Sequence, residues 1–198
     1  RRDLDPDQTL LPPLHAGWAV RRKSNYFRCY DEVAEEFARL IGVDAWTINP
    51  LFARCGRLDF REKVGEECLA SNVDQLLAQI RERYRQHQIR ERPFVIVKAD
   101  AGTYGMGVMT VRDASEVIGL NRRQRNKMAV VKEGLAVTEV IIQEGVPTYE
   151  TVEQAVAEPV VYLIDRYVVG GFYRVHRERG IDENLNAPGM HFVPLAFA

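Results

Sequence analysis

The chain lacks any uninterrupted run of about twenty apolar residues, the length a helix needs to span a bilayer. Its start is charged and carries no apolar leader core. No membrane partner is expected, and the reading is a cytoplasmic protein. Cysteine is scarce. Cys29, Cys55 and Cys68 are odd in number, widely spaced and never arranged as Cys-x-x-Cys, which argues against a disulfide framework or a zinc site and for reduced, structural thiols. Cys68 sits among Glu66 and Glu67 with no cationic neighbour in sequence to make it a nucleophile. An excess of one charge is lacking too, since 27 Lys and Arg face 28 Asp and Glu. Nothing global draws the chain to nucleic acid or anionic lipid, so any phosphate binding must be local. Neither a Walker loop nor a Rossmann turn with Gly-x-Gly-x-x-Gly occurs. Internal repeats, low-complexity tracts and an initiating methionine are also missing. The start at Arg1 and the apolar end from Phe192 to Ala198 read as a segment of a longer protein.

What is present is a globular chain of 198 residues, 46% hydrophobic and 28% charged, sized for one or two domains. Residues 1–20 contain Asp-Pro and Leu-Pro-Pro-Leu without a clear period and read as a connecting segment. From Tyr30 to Ile41 the apolar residues Tyr30, Val33, Ala34, Phe37, Leu40 and Ile41 recur every three or four positions, which predicts an amphipathic helix ending at Gly42. A second helix is predicted from Asn72 to His87, with Val73, Leu76, Leu77, Ile80 and Tyr84 on one face, and a short one over 115–120. Strands are predicted near Phe94, over 108–111 and 137–143, and in two runs, 157–164 and 166–176, that meet at Asp165. The pattern is mixed α+β.

The most informative stretch is Phe94-Val-Ile-Val-Lys98-Ala-Asp-Ala-Gly102-Thr103-Tyr104-Gly105-Met-Gly107, followed by the β-like run Val108 to Val111. A strand-borne lysine places one fixed positive charge beside a glycine turn whose backbone N–H groups can approach anionic oxygens. An ordinary glycine-rich hairpin would read the same way taken alone. The order of strand, lysine, glycine hairpin and strand resembles the ATP-grasp ligases, in which a lysine and a glycine loop cover the ATP phosphates. Three further stretches follow in that family's order. Gln143 and Glu144, with Val146 beyond, end a strand 45 residues after Lys98, where the family has its adenine hinge. Arg174 ends the second of two antiparallel runs and would face the transferred phosphate; a surface pairing with Glu178 or Glu183 is the plainer reading. Asn184-Leu185 then fits the family's Asn-Leu turn, and Lys23, ahead of the helix at Tyr30, fits the lysine that reaches the α-phosphate.

The segments His15 to Trp18, Arg21 to Ser24, Gly65 to Asn72, Val97 to Gly107, Asn126 to Gly134 and Asp182 to Phe192 look like the proteobacterial, ATP-grasp-type glutamate–cysteine ligases. That resemblance implies an ATP-grasp fold and the substrates glutamate, cysteine and ATP, joined as γ-glutamylcysteine in the first step of glutathione synthesis. It implies Mg2+ beside the phosphates. Residues 1–20 would connect to a missing N-terminal region, 21–92 form a helical linking part, 93–146 one ATP-grasp subdomain and 147–198 a second, cut short. Nucleotide binding is expected at Lys23, Lys98, Gly102, Thr103, Tyr104, Gly105, Gly107, Gln143, Glu144, Val146 and Asn184, with Lys98 and Arg174 catalytic. Metal binding is expected of Glu183 and Asn186, although the family's Glu-x-Asn pair is not met: Glu183 and Asn186 stand one residue too far apart, and Asn184 occupies the glutamate place. The true ligands are then expected past Ala198. Another ATP-dependent carboxylate–amine ligase, or a nucleotide-binding module without turnover, shares the same signature. The basic run Asn121 to Lys127 has no interleaved aromatic and reads as a solvated face or a clamp for a substrate carboxylate. His15, His176 and His191 are too dispersed for a metal; His176, beside Arg174, is the histidine closest to the expected chemistry. Glu66 and Glu67 read as solvated acids at a helix start or as substrate contacts.

Overall fold

A computed structural model describes residues 9, 21–102, 107–130 and 136–196. The connecting segment expected over 1–20, His15 included, lies outside them except for Thr9, as do Thr103, Tyr104 and Gly105 of the glycine loop. The fold is mixed α+β, built as two units, residues 1–144 and 145–198, each around an antiparallel sheet.

In the first unit, helix α1 (Lys23–Ile41) leads through a short 3-10 turn (Ala45–Thr47) to strand β1 (Phe52–Gly56), and α2 (Glu66–Gln86) follows. Then come β2 (Val95–Ala99), β3 (Val108–Val111), the short α3 (Ser115–Ile118), α4 (Arg122–Ala129) and β4 (Glu139–Glu144). The strands assemble in the order β1-β4-β2-β3. Residues 21–92 therefore supply the edge strand β1, paired with β4 from Phe52↔Gln143 to Gly56↔Glu139. Pleating separates the two faces. Val95, Val97, Ala99, Val140 and Ile142 join Leu69, Val73, Leu77, Ile80 and Tyr84 of α2 in one core. Ile96, Lys98, Ile141, Gln143 and Arg54 alternate with those strand residues and stand on the other face.

The predicted face of α2 is buried as expected, but the helix starts at Glu66 rather than Asn72. Glu66 is itself buried, not solvated, and its Oε1 has no hydrogen-bond partner. Helix α1 departs further from expectation. It begins at Lys23, seven residues ahead of Tyr30, and its apolar stripe faces outward: Val33, Phe37, Leu40 and Ile41 are exposed, while Ala34 and Ala38 pack inward. Periodicity locates the stripe and not what covers it. The basic run is helix α4, closed by a capping box in which Asn121 accepts from the Gln124 N–H while the Gln124 side chain accepts from the Asn121 N–H. No helix among the described residues is long and apolar enough to cross a membrane.

The second unit is a four-stranded sheet, β5 (Thr151–Val152), β6 (Ala155–Ile164), β7 (Tyr167–His176) and β8 (His191–Pro194), in that order. β6 and β7 turn at Asp165, which takes a left-handed φ of 53°, and pair through to Val156↔His176. Its small core is Ala155, Ala157 and Val175, packed by Val152, Tyr173 and Val193.

Candidate functional site

The glycine hairpin forms as its residues dictate. β2 and β3 pair from Val95↔Val111 to Lys98↔Val108, and the Ala99 N–H donates to the Gly107 carbonyl at 2.9 Å. Gly102 and Gly107 hold φ of 92° and 62°, a region where a Cβ is penalised, so glycine is required at both ends of the loop. Lys98 leaves the sheet on the face opposite α2 and donates to Gln143 Oε1 at 2.7 Å.

Lys23 arrives beside it from α1. Its Nζ donates to the carbonyls of Ala99, at 2.6 Å, and Gly102, at 3.0 Å, the two ends of the chain segment leading into the glycine loop. The start of α1 is pinned there by Asp100, which has no solvent exposure. The Asp100 carboxylate accepts from the Ser24 N–H and from the Ser24 hydroxyl, both at 2.8 Å, and its carbonyl accepts from the Lys23 N–H at 2.9 Å. Arg22, the residue ahead of the helix, makes no side-chain cap, so a strand end 76 residues away supplies the cap instead. Arg54 on β1 lies 3.9 Å from Asp100 and pairs with Glu139 at 2.7 Å, and Arg22 reaches Glu139 at 3.3 Å. None of Ser24, Arg54, Asp100 or Glu139 was anticipated as a contributor; the local signal was an aspartate ending a buried strand two residues after the lysine.

Burial sets the electrostatics of the two lysines. Lys98 is held below its ordinary value by loss of solvent and then by the charge of Lys23. Lys23 is lowered mainly by burial, with Asp100 opposing and Arg21 adding to the shift. Two desolvated ammonium groups that raise each other's energy beside a glycine turn make a site that an anion stabilises.

At the expected hinge, Gln143 is engaged with Lys98, and Glu144 turns into the core at 4% exposure. Its carboxylate accepts from Trp46 Nε1 and from the Leu51 N–H, both at 2.9 Å, and its own N–H donates to the Leu51 carbonyl at 2.8 Å. Both of these donors to the carboxylate are groups of the protein. Burial raises the Glu144 carboxyl above its ordinary value, against those two hydrogen bonds. Val146 is exposed.

In the second unit, Arg174 forms an ion pair with Glu158, its partner across the β6–β7 ladder, and not with Glu178 or Glu183. Its Nε is buried without a partner. His176 is buried and has both ring nitrogens occupied: Nδ1 accepts from the Glu178 N–H at 3.2 Å, and Nε2 faces the Pro188 carbonyl at 3.0 Å. With Nδ1 accepting, the contact to Pro188 is made by an Nε2–H, and it ties the 182–189 turn to β7. Leu185 is buried, whereas the Asn184 side chain accepts from the Asn186 N–H at 2.9 Å. Glu183 pairs with Arg179 at 2.7 Å and accepts from the Gly180 N–H at 2.8 Å. Among the described residues no three His, Cys, Asp or Glu side chains converge as a metal site. Of the two residues expected to bind metal, Glu183 is thus engaged with Arg179 and Gly180, and Asn186 donates its backbone N–H to Asn184.

Comparison with known proteins gives a consistent picture. A model of the family GshA, glutamate-cysteine ligase, matches residues 2–198. The chain is similar to a crystal structure from Methylobacillus flagellatus KT, of a protein provisionally described as a gamma-glutamylcysteine synthetase, at 65% identity and a TM-score of 0.83. The match covers 96% of this chain and 45% of that one, so the chain spans less than half the length of this relative. No curated protein matches the chain.

Proposed function

Since the chain belongs to the glutamate-cysteine ligase family, we propose that it carries the nucleotide site of an ATP-grasp ligase that joins L-glutamate to L-cysteine. The side-chain carboxylate of glutamate takes the γ-phosphoryl group as an acyl phosphate, and the cysteine amine then displaces phosphate to give γ-glutamylcysteine, the first step toward glutathione. No nucleophilic side chain is needed. The protein's part is to hold the reactants and to neutralise charge that develops during transfer.

The observation that carries this reading is the Lys23–Lys98 pair fixed at the mouth of the glycine loop. Lys98 would take the β/γ side of the triphosphate and Lys23 the α-phosphate, with backbone amides from Gly102 to Gly107 between them. Arg174 would neutralise the transferred phosphoryl group from the second subdomain, residues 147–198, and Gln143, Val146 and Asn184 would border the nucleotide. The Glu144 carboxylate supports the hinge from within the core. Mg2+ would supply further charge neutralisation beside the phosphates when bound, and Glu183 and Asn186 are the residues of this chain that would hold it.

The test is phosphate release by the protein at its full natural length with Mg-ATP and glutamate, with and without cysteine. Release that requires cysteine and collapses in Lys98→Ala establishes the ligase. Release dependent on a different amine reassigns the acceptor, and ATP binding without release makes the chain a nucleotide-binding module.

A further inference from the structure

Cys55 and Cys68 are thirteen residues apart, one on β1 and the other in the first turn of α2, yet their sulfurs lie 3.7 Å from each other. Cys68 is exposed and Cys55 is buried. Asn72, one turn along α2, donates to the Cys68 carbonyl at 2.9 Å and toward its sulfur at 3.5 Å. A disulfide needs an S–S distance of about 2 Å, so side-chain rotation with a small shift of the strand or helix closes the gap. The phosphate site uses neither thiol.

We propose that Cys68 and Cys55 form a redox-active pair in which Cys68 takes up a low-molecular-weight disulfide and Cys55 resolves the adduct. In the first step the Cys68 thiolate attacks one sulfur of the disulfide, the S–S bond breaks, and one thiol leaves with a proton from solvent. In the second, Cys55 gives up its proton, attacks the Cys68 sulfur and expels the second thiol. The balance is two protein thiols oxidised to one disulfide and one small disulfide reduced to two thiols. The order follows from the geometry. Of the two, only Cys68 meets solvent, so it is the thiol that a disulfide in solution reaches first. Burial, and Cys68 beside it, push the Cys55 thiol up to about 11, which keeps it protonated and unreactive until the adduct stands next to it.

The pair is tested in a Cys29→Ser background, since Cys29 is also exposed. The full-length protein is incubated with glutathione disulfide, alkylated under denaturing conditions and weighed intact, with peptide mapping. The expected product has lost two hydrogens, carries a Cys55–Cys68 linkage and no adduct, and returns to the thiol form with dithiothreitol. Added Cys55→Ser traps one glutathione on Cys68, and added Cys68→Ser leaves Cys55 reduced. An adduct that persists on Cys68 while Cys55 is present overturns the proposal, as does a Cys68 that does not react. Should Cys55→Ser fail to fold, Cys55→Ala replaces it, and the linkage in the Cys29→Ser protein alone decides.

Discussion

The carboxylate of Asp100 binds Ser24 twice, once through the backbone N–H and once through the hydroxyl, and so joins the end of β2 to the start of α1. That bond places Lys23 over the entrance to the glycine loop, because Lys23 is the residue immediately before the one it holds. Removing the Asp100 side chain leaves two buried donors without an acceptor. Asp100→Ala is expected to lower stability by about 1–3 kcal/mol, read as a shift of the urea midpoint at unchanged slope. Asp100→Asn, which keeps an acceptor, is expected to lose less. Both should weaken ATP binding through Lys23, and an Asp100→Ala protein with unchanged ATP affinity would remove Asp100 from the site's architecture.

Lys98 pits stability against binding. Lys98→Met removes a desolvated charge from beside Lys23, so the nucleotide-free protein is expected to unfold at a higher urea concentration than the parent. ATP affinity should fall about ten- to a hundredfold, the loss of one charge-assisted contact of about 1.5–3 kcal/mol. Calorimetric titration with ATP beside a urea melt reads both. A variant that loses stability and keeps affinity would refute the phosphate role.

Glu144 gives the protein a signature in pH. Its folded value lies above the ordinary 4.5, so the folded state binds the proton more tightly than the unfolded state does. The stabilisation from the protonated form is complete below 4.5 and is lost as pH rises from there through the raised folded value. Glu144→Gln is expected to abolish this component, so the difference in urea midpoint between parent and variant should change across that window and level off above it. A difference independent of pH would mean that the buried carboxyl does not titrate as its burial requires.

Arg174 and Glu158 form a partly exposed pair, and such pairs contribute little to folding. Arg174→Ala is expected to shift stability by less than about 1 kcal/mol, yet, under the role proposed for it, to lower kcat with little effect on the KM for ATP, because neutralising charge on a transferred phosphoryl group acts in the transition state. Arg174→Lys should restore only part of kcat, since the planar fork is lost. Equal changes in KM and kcat/KM with kcat intact would make Arg174 a binding residue.

The sequence by itself determined whatever is decided by near neighbours. The hairpin around Gly102 and Gly107 follows from a β-branched strand, positive-φ glycines and a second strand. The buried face of α2 follows from the 3.6-residue period, and the β6–β7 ladder from two β-branched runs around Asp165. The strands that carry Lys98, Gln143 and Arg174 were legible for the same reason, whereas the roles expected of those residues and of Lys23 came from the family resemblance. Tertiary structure alone decided which faces are covered and which distant groups meet. Val33, Phe37 and Leu40 have the period of a core and stand exposed, because periodicity defines a stripe without supplying its partner. Glu144 lies inside because Trp46 and Leu51, more than ninety residues earlier, bring two donors to it. Cys55 meets Cys68, and Asp100 meets Ser24, only once the chain has folded back, since hydrogen bonds and sulfur contacts act over a few ångströms and chain spacing does not encode them.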